Sequence, residues 1–227
     1  PALAKEPFYI LECGSGLGRF AYYLLTQLST RLAQKGYDNV QFVYILSELS
    51  KPLIHSWQDN LSLKPLFESG KLECCQLDVS KPIKTLSLLY RKKTLKLSTL
   101  KHPLILINNY IWDSLPFDAF KLKNKVLHQT QLSISSAQTS STGFDFSKLT
   151  LLYKDVICKK PPYVKQPFKA IVNYYKTQFN DVSFTIPIST LTFLESLHKQ
   201  CKAGLFIIAS DKGSSYEDHF FANKNPS

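Results

Sequence analysis

Methionine is absent from this chain, and even its first residue is Pro1, so the chain is expected to be a fragment or to lack residues. Long apolar runs are absent too. None approaches the roughly 20 residues that a membrane-spanning helix needs, and no charged-then-apolar leader opens the sequence. That excludes a membrane-spanning helix from the reading and predicts a soluble, cytoplasmic protein. Cysteines are few, five in number, and lack metal-ligand spacing. Adjacent Cys74 and Cys75 make a poor pair of tetrahedral ligands, so no metal is expected and the thiols are read as buried and free. No internal repeat is visible. What is present, 44% hydrophobic and 13% aromatic residues, excludes a disordered or collagen-like chain and suffices for one α/β domain with an insertion.

Acidic residues are outnumbered, 17 against 28 Lys and Arg, for a net charge of +11. The basic residues gather at Lys81 to Lys101, at Lys121 to Lys125, and at Lys159, Lys160, Lys165 and Lys169. Such clusters are solvated faces or phosphate-binding surfaces, so a nucleic-acid partner stays open beside a protein substrate.

The chain alternates apolar runs with amphipathic stretches. Strands are predicted at Pro7 to Glu12, Gln41 to Leu46, Lys71 to Leu77, Pro103 to Asn108 and Leu205 to Ala209. Helices are predicted at Arg19 to Gln34, with Phe20, Tyr23, Leu24, Leu28 and Leu32 on one side, at Lys51 to Asn60, and at Leu86 to Leu97. The alternation reads as a parallel α/β sheet, Rossmann-like, with helices on both faces. The rhythm breaks between the fourth and fifth strands. Residues 121–202 read as an insertion over the ligand crevice, 1–120 as the core, and 203–227 as its return. The insertion holds a Ser/Thr/Gln-rich segment, Ser133 to Thr142, a Pro/Lys-rich one with Pro161-Pro162-Tyr163 read as linker, and helical patterns at Phe168 to Phe179 and Leu191 to Cys201.

Three of the eight glycines fall within five residues, in Glu12-Cys13-Gly14-Ser15-Gly16-Leu17-Gly18, directly after the first strand. A glycine turn running into a helix N-terminus offers free N–H groups and room for a ligand against the backbone. The spacing differs from the Gly-x-Gly-x-x-Gly of pyrophosphate binders, which argues against a dinucleotide dehydrogenase. Glu12 would repel a pyrophosphate but suits the cationic amino group of a methionyl moiety, whose carboxylate lies near the turn. Glu48 ends the second strand, where a carboxylate accepts two hydrogen bonds from a ribose diol. Asp78 ends the third, either to meet an adenine amino group or to cap a helix with Ser80. Asn108 ends the fourth, and Asn109 and Asp113 follow as candidates to position an acceptor, Asp113 as a possible base. Tyr110 and Trp112 either contact a sulfonium or cationic acceptor, or pack beneath the insertion.

These positions resemble the class I S-adenosylmethionine (SAM)-dependent methyltransferases from Pro7 to Asp211. Among them the chain is most similar to the MidA-like family, through Leu11 to Gly18, Ser47-Glu48-Leu49-Ser50 and Asn109 to Phe120. The resemblance implies SAM as cofactor, held by Glu12, Gly14, Gly16, Gly18, Glu48, Asp78 and Asn108. It also implies methyl transfer to a protein arginine, as in mitochondrial members that assist assembly of respiratory complex I, and hence a matrix location for a eukaryotic member. Tyr110 stands where that family has an acid, Ser114 where it has Ala, and Ser-Asp-Lys-Gly where it has Asp-Tyr-Gly. No final hairpin is evident after Phe221, so the chain reads as truncated. Two alternatives remain: an RNA methyltransferase using the basic surface, and a non-catalytic module of the same fold that binds a partner protein.

Overall fold

The computed structural model describes residues 6–136 and 146–211. In chain order the elements are β1 (Phe8–Cys13), α1 (Arg19–Gln34), β2 (Phe42–Glu48), α2 (Lys51–Asp59), α3 (Lys64–Glu68), β3 (Leu72–Gln76), β4 (Thr85–Leu88), β5 (Lys93–Lys96) and β6 (Leu104–Asn109). Then follow β7 (Asp118–Lys123), β8 (Val126–Ser136), β9 (Leu149–Ile157), α4 (Phe168–Gln178), β10 (Val182–Ile186), α5 (Ile188–Gln200) and β11 (Leu205–Ser210). The chain divides into two compact units. Among the described residues one holds 6–115 and 189–211, and the other holds those within Pro116–Ile188. The expected insertion thus differs at its far end: α5 belongs with the sheet of the first unit.

In the first unit five parallel strands lie in the order β11-β6-β1-β2-β3. From β1 the chain steps to β2 on one side and returns to β6 on the other. Ligands of such sheets bind at this reversal, outside the carboxyl ends of the strands. β1, β2 and β3 are nearly continuously apolar because both their faces are covered. One face packs Ile10, Tyr44, Leu46 and Leu72 against Ala21 and Leu25 of α1, Ile54 and Trp57 of α2, and Phe67 of α3. The other packs Leu11, Val43, Ile45 and Leu106 against Phe193 and Leu197 of α5 and Leu86 of β4. Each buried Leu, Ile, Val or Phe among them contributes about 1.5–3 kcal/mol, so the two faces hold the sheet from both sides. Adjacent Cys74 and Cys75 point to opposite faces, one into each cluster, and neither forms a disulfide.

Several local expectations need correction. Leu86 to Leu97 is a β-hairpin rather than a helix: Thr85-Leu86-Ser87-Leu88 alternates exposed and buried with period two, and Lys92 turns the chain at φ 52°. In α1 the buried stripe is Ala21 and Leu25, flanked by Tyr22, Leu24 and Leu28, while Phe20 and Tyr23 are exposed. The helix ends as read, at left-handed Gly36, with the Tyr37 amide donating to the Leu32 carbonyl. A short helix, α3, was not anticipated.

The second unit is built on an antiparallel sheet, β10-β7-β8-β9, with α4. Ser133 to Ser136 end β8, whereas 137–142 of the Ser/Thr/Gln-rich segment lie outside the described residues, as does everything from 212 onward. Pro161-Pro162-Tyr163 is not a linker. Tyr163 donates a hydrogen bond to the Asp118 carboxylate and packs against Phe120 and Phe168, which fixes the segment to the sheet. Among the described residues no helix is long and apolar enough to cross a membrane.

Candidate functional site

The loop from Cys13 to Gly18 closes over the carboxyl end of β1. Gly14, Gly16 and Gly18 all adopt left-handed backbone, at φ 65°, 52° and 73°. A side chain there costs about 1–2 kcal/mol in backbone strain alone. The demand is doubled at Gly14, where a Cβ would stand 2.6 Å from Ile111 Cδ1. At Gly16 a Cβ would meet nothing, so its backbone faces open space on that side.

The loop is tied down by side chains that the sequence reading did not single out. The Trp57 indole N–H donates to the Gly16 carbonyl at 2.8 Å. Ser15 and Ser47 clasp each other: the Ser15 amide donates to the Ser47 carbonyl, and the Ser47 amide donates to Ser15 Oγ. Both hydroxyls also donate to the Glu12 carbonyl, Ser47 at 2.7 Å and Ser15 at 3.2 Å. These bonds lock β1 and β2 together beneath the glycines.

Glu48, at the end of β2, reaches the same loop. Its Oε2 accepts from the Gly16 amide at 3.4 Å and its Oε1 from the Leu49 amide at 2.9 Å. The structure therefore brings Glu48 and the glycine loop together. Asp78 lies beyond β3 in a turn, not at a helix start. It accepts from the amide and hydroxyl of Ser80 and pairs with Lys81 at 2.8 Å. The Lys81 bond, then Ser80, holds its carboxyl down at about 2.

Glu12 is 5% exposed, and its Oε2 and the neighbouring Tyr44 hydroxyl are both without a hydrogen-bond partner. Burial pushes the Glu12 carboxyl up to about 7, with Tyr44 and Ser15 pulling it partly back. Tyr44 lies close enough to act on Glu12, but the two form no well-shaped hydrogen bond. Asn108 is 2% exposed, and both ends of its amide are unpartnered. In register Glu12 stands beside Ile107, and Cys13 beside Asn108. Since side chains alternate, Glu12 and Asn108, one residue apart in register, lie on opposite faces of the sheet. Unpartnered buried polar groups of this kind cost about 1–3 kcal/mol each, and a ligand that reached them would relieve that cost.

After β6 the chain turns sharply. Tyr110 is left-handed at φ 53°, donates its amide to the Ser210 carbonyl and is exposed. A single helical turn, Trp112–Ser114, follows, with Trp112 packed against the core. Asp211 caps that turn, its Oδ2 accepting the amides of Trp112 at 2.8 Å and Asp113 at 3.3 Å. Asn109 and Asp113 are both exposed at this tip.

The donor set fits a SAM-like group on these observations: left-handed glycines with an open backbone face, a carboxylate beside the loop amide, and a buried carboxylate with one oxygen lacking a partner. A family model described as "Putative S-adenosyl-L-methionine-dependent methyltransferase" matches residues 2–213. Among curated proteins the chain finds no match. Among solved structures it is similar to a Burkholderia thailandensis protein crystallised with S-adenosyl-homocysteine, at 16% identity and a TM-score of 0.51, over 88% of this chain and 41% of that one. It is also similar to the native structure of an uncharacterised Burkholderia thailandensis protein of the same superfamily, at 14% identity and a TM-score of 0.49, over 96% of this chain and 46% of the other. The chain thus spans less than half the length of these structures. The first likeness supports the sheet architecture, and the match over residues 2–213 shows that the chain belongs to this family of S-adenosyl-L-methionine-dependent methyltransferases.

Proposed function

We propose that the chain binds SAM at the carboxyl ends of β1, β2 and β6 and carries out methyl transfer as a MidA-like enzyme acting on a protein arginine. The observation that carries the cofactor reading is the glycine loop with Glu48 against the Gly16 amide and Glu12 Oε2 buried without a partner. A likeness of fold to a protein that holds S-adenosyl-homocysteine supports the same placement.

Each residue has a chemical part. Glu12 in its ionised form attracts the ligand's ammonium group, which would in turn lower the carboxyl's raised pKa. The loop amides and the start of α1 attract its carboxylate. Glu48 exchanges its bonds to Gly16 and Leu49 for a ribose diol. Asn108 offers a donor and an acceptor, and Asp78, ionised through Lys81, accepts from an adenine amino group. When bound, the cofactor supplies an electrophilic methyl group on sulfur, open to in-line displacement by an acceptor lone pair. Asn109 and Asp113 orient that acceptor at the exposed tip, and Asp113 takes up the proton the acceptor loses.

The test is transfer of labelled methyl from SAM to an arginine peptide, with a lysine peptide and an RNA as parallel acceptors. Label on the arginine peptide alone supports the reading. Label on RNA alone overturns the arginine assignment. Cofactor binding with no transfer to any acceptor favours the non-catalytic module.

A further inference from the structure

The second unit carries a hollow of about 390 Å³ that the methyltransferase reading does not use. Five lysines line it. Lys125 comes from the β7–β8 turn, Lys159 and Lys160 from the segment after β9, and Lys169 and Lys176 from α4. Asn173 joins them on the same face of α4, since positions 169, 172, 173 and 176 share one side of a helix.

The walls are fixed rather than loose. The Lys125 amide donates to the Asn180 carbonyl at 2.8 Å and the Cys158 amide to the Leu127 carbonyl at 2.9 Å. Pro161 and Pro162 follow the two adjacent lysines and restrict their backbone, and Tyr163 anchors the segment to Asp118 and Phe120. Val172 is buried beneath α4, so the helix face that presents Lys169 and Lys176 cannot rotate away.

Charge decides what this hollow accepts. No carboxylate lines it, and among the described residues none of the five lysines takes part in an ion pair. Some basic residues elsewhere do have carboxylate partners: Lys121 and Lys123 share Asp155, Lys81 meets Asp78, and Arg91 meets Glu73. A sphere of this volume is about 9 Å across, close to the screening length of about 8 Å at physiological salt. Five like charges around a hollow of this size disfavour one another, and no carboxylate lines it to offset them. The first turn of α4 adds positive partial charge and holds no acidic residue.

The geometry points to a phosphate-binding site: the hollow between α4, the β7–β8 turn and the Lys159–Tyr163 segment takes a ligand bearing several phosphate groups. Its volume falls in the range of small-ligand sites, about 300–1,000 Å³, and accommodates a short oligophosphate or a stretch of nucleic-acid backbone. This assignment rests on the second unit alone and stands or falls apart from SAM binding.

The test uses the whole chain with two probes, inorganic tripolyphosphate by calorimetry and a labelled single-stranded oligoribonucleotide by fluorescence anisotropy. Two pocket variants, Lys169→Glu/Lys176→Glu and Lys159→Glu/Lys160→Glu, are compared with Lys93→Glu/Lys96→Glu on β5, which changes net charge equally. All six positions are exposed, and unchanged thermal midpoints confirm that the variants fold. Either pocket variant is expected to weaken binding about tenfold and to lower the salt slope by about two, with the β5 variant within about twofold of the parent. RNA binding that tripolyphosphate does not displace identifies a strand as the ligand; tripolyphosphate binding without RNA binding identifies a discrete oligophosphate. Binding of neither probe overturns the site, as does an equal loss in the β5 variant.

Discussion

Trp57 and Gly16 are joined by a hydrogen bond of 2.8 Å from the indole N–H to the loop carbonyl, across 41 positions of chain. The indole is 1% exposed, so one side chain both fills the space between α2 and the sheet and fixes the middle glycine of the loop. The two roles separate on substitution. Trp57→Phe keeps most of the packing and loses the bond, with an expected cost of about 1 kcal/mol in stability and a weaker cofactor complex. Trp57→Ala leaves a cavity as well and is expected to cost about 3–5 kcal/mol. Denaturant unfolding of both variants, with cofactor titration of the first, checks the division. Equal losses in the two variants would contradict it.

Gly14 and Gly16 share a left-handed backbone but not their surroundings. Gly16→Ala meets only backbone strain, about 1–2 kcal/mol, because its Cβ finds open space. Gly14→Ala adds the contact with Ile111 at 2.6 Å and is expected to cost more. Pairing Gly14→Ala with Ile111→Val, which removes that Cδ1 atom, should recover part of the excess. A double-mutant cycle on thermal unfolding reads the coupling, and strict additivity would show that the contact is unimportant.

Glu12 gives a pH dependence of definite sign. Its carboxyl is raised from 4.5 to about 7 in the folded chain, chiefly by burial. The folded state therefore holds the proton more tightly than the unfolded chain. The associated stability is complete below about pH 4.5 and is lost as pH rises through 7, by an amount of order 3 kcal/mol. Glu12→Gln is expected to flatten the thermal midpoint between pH 5 and 8 relative to the parent. Affinity for the cofactor's ammonium runs the other way. It should rise about tenfold from pH 6 to 8 in the parent, as the carboxylate forms, and stay level in Glu12→Gln.

Asp211 holds the turn at Trp112–Ser114 by two amides, and that turn carries Asp113. Asp211→Ala is expected to lower turnover more than cofactor affinity, because both amides it holds belong to the turn that carries Asp113, whereas the glycine loop meets that turn through Ile111 beside Gly14. A matched loss of cofactor affinity would place Asp211 in the binding site instead.

The sheet was legible because its strands are covered on both faces and read as apolar runs, and Arg19–Gln34 because a glycine follows it. The β4–β5 hairpin was obscured by leucines at Leu86, Leu89 and Leu97, whose spacing also suits a helix, and by a turn at Lys92 that uses no glycine. The second unit's sheet was missed for a different reason: β8 and β9 are exposed along most of their length, so burial imprints no period on them. The glycine loop was visible because left-handed backbone at three close positions demands a rare residue. Ser15, Ser47, Trp57 and Asp211 were not, since their bonds run from side chain to backbone across 32 to 99 positions and leave no local pattern.

The most direct measurement of the cofactor claim is calorimetric titration of the chain with S-adenosyl-homocysteine at pH 8, beside Glu48→Ala and Gly16→Val. Saturable one-to-one binding by the parent, weakened at least about tenfold in both variants, is the expected result. No binding by a folded parent, or binding that both variants leave unchanged, would contradict the placement of SAM on this loop.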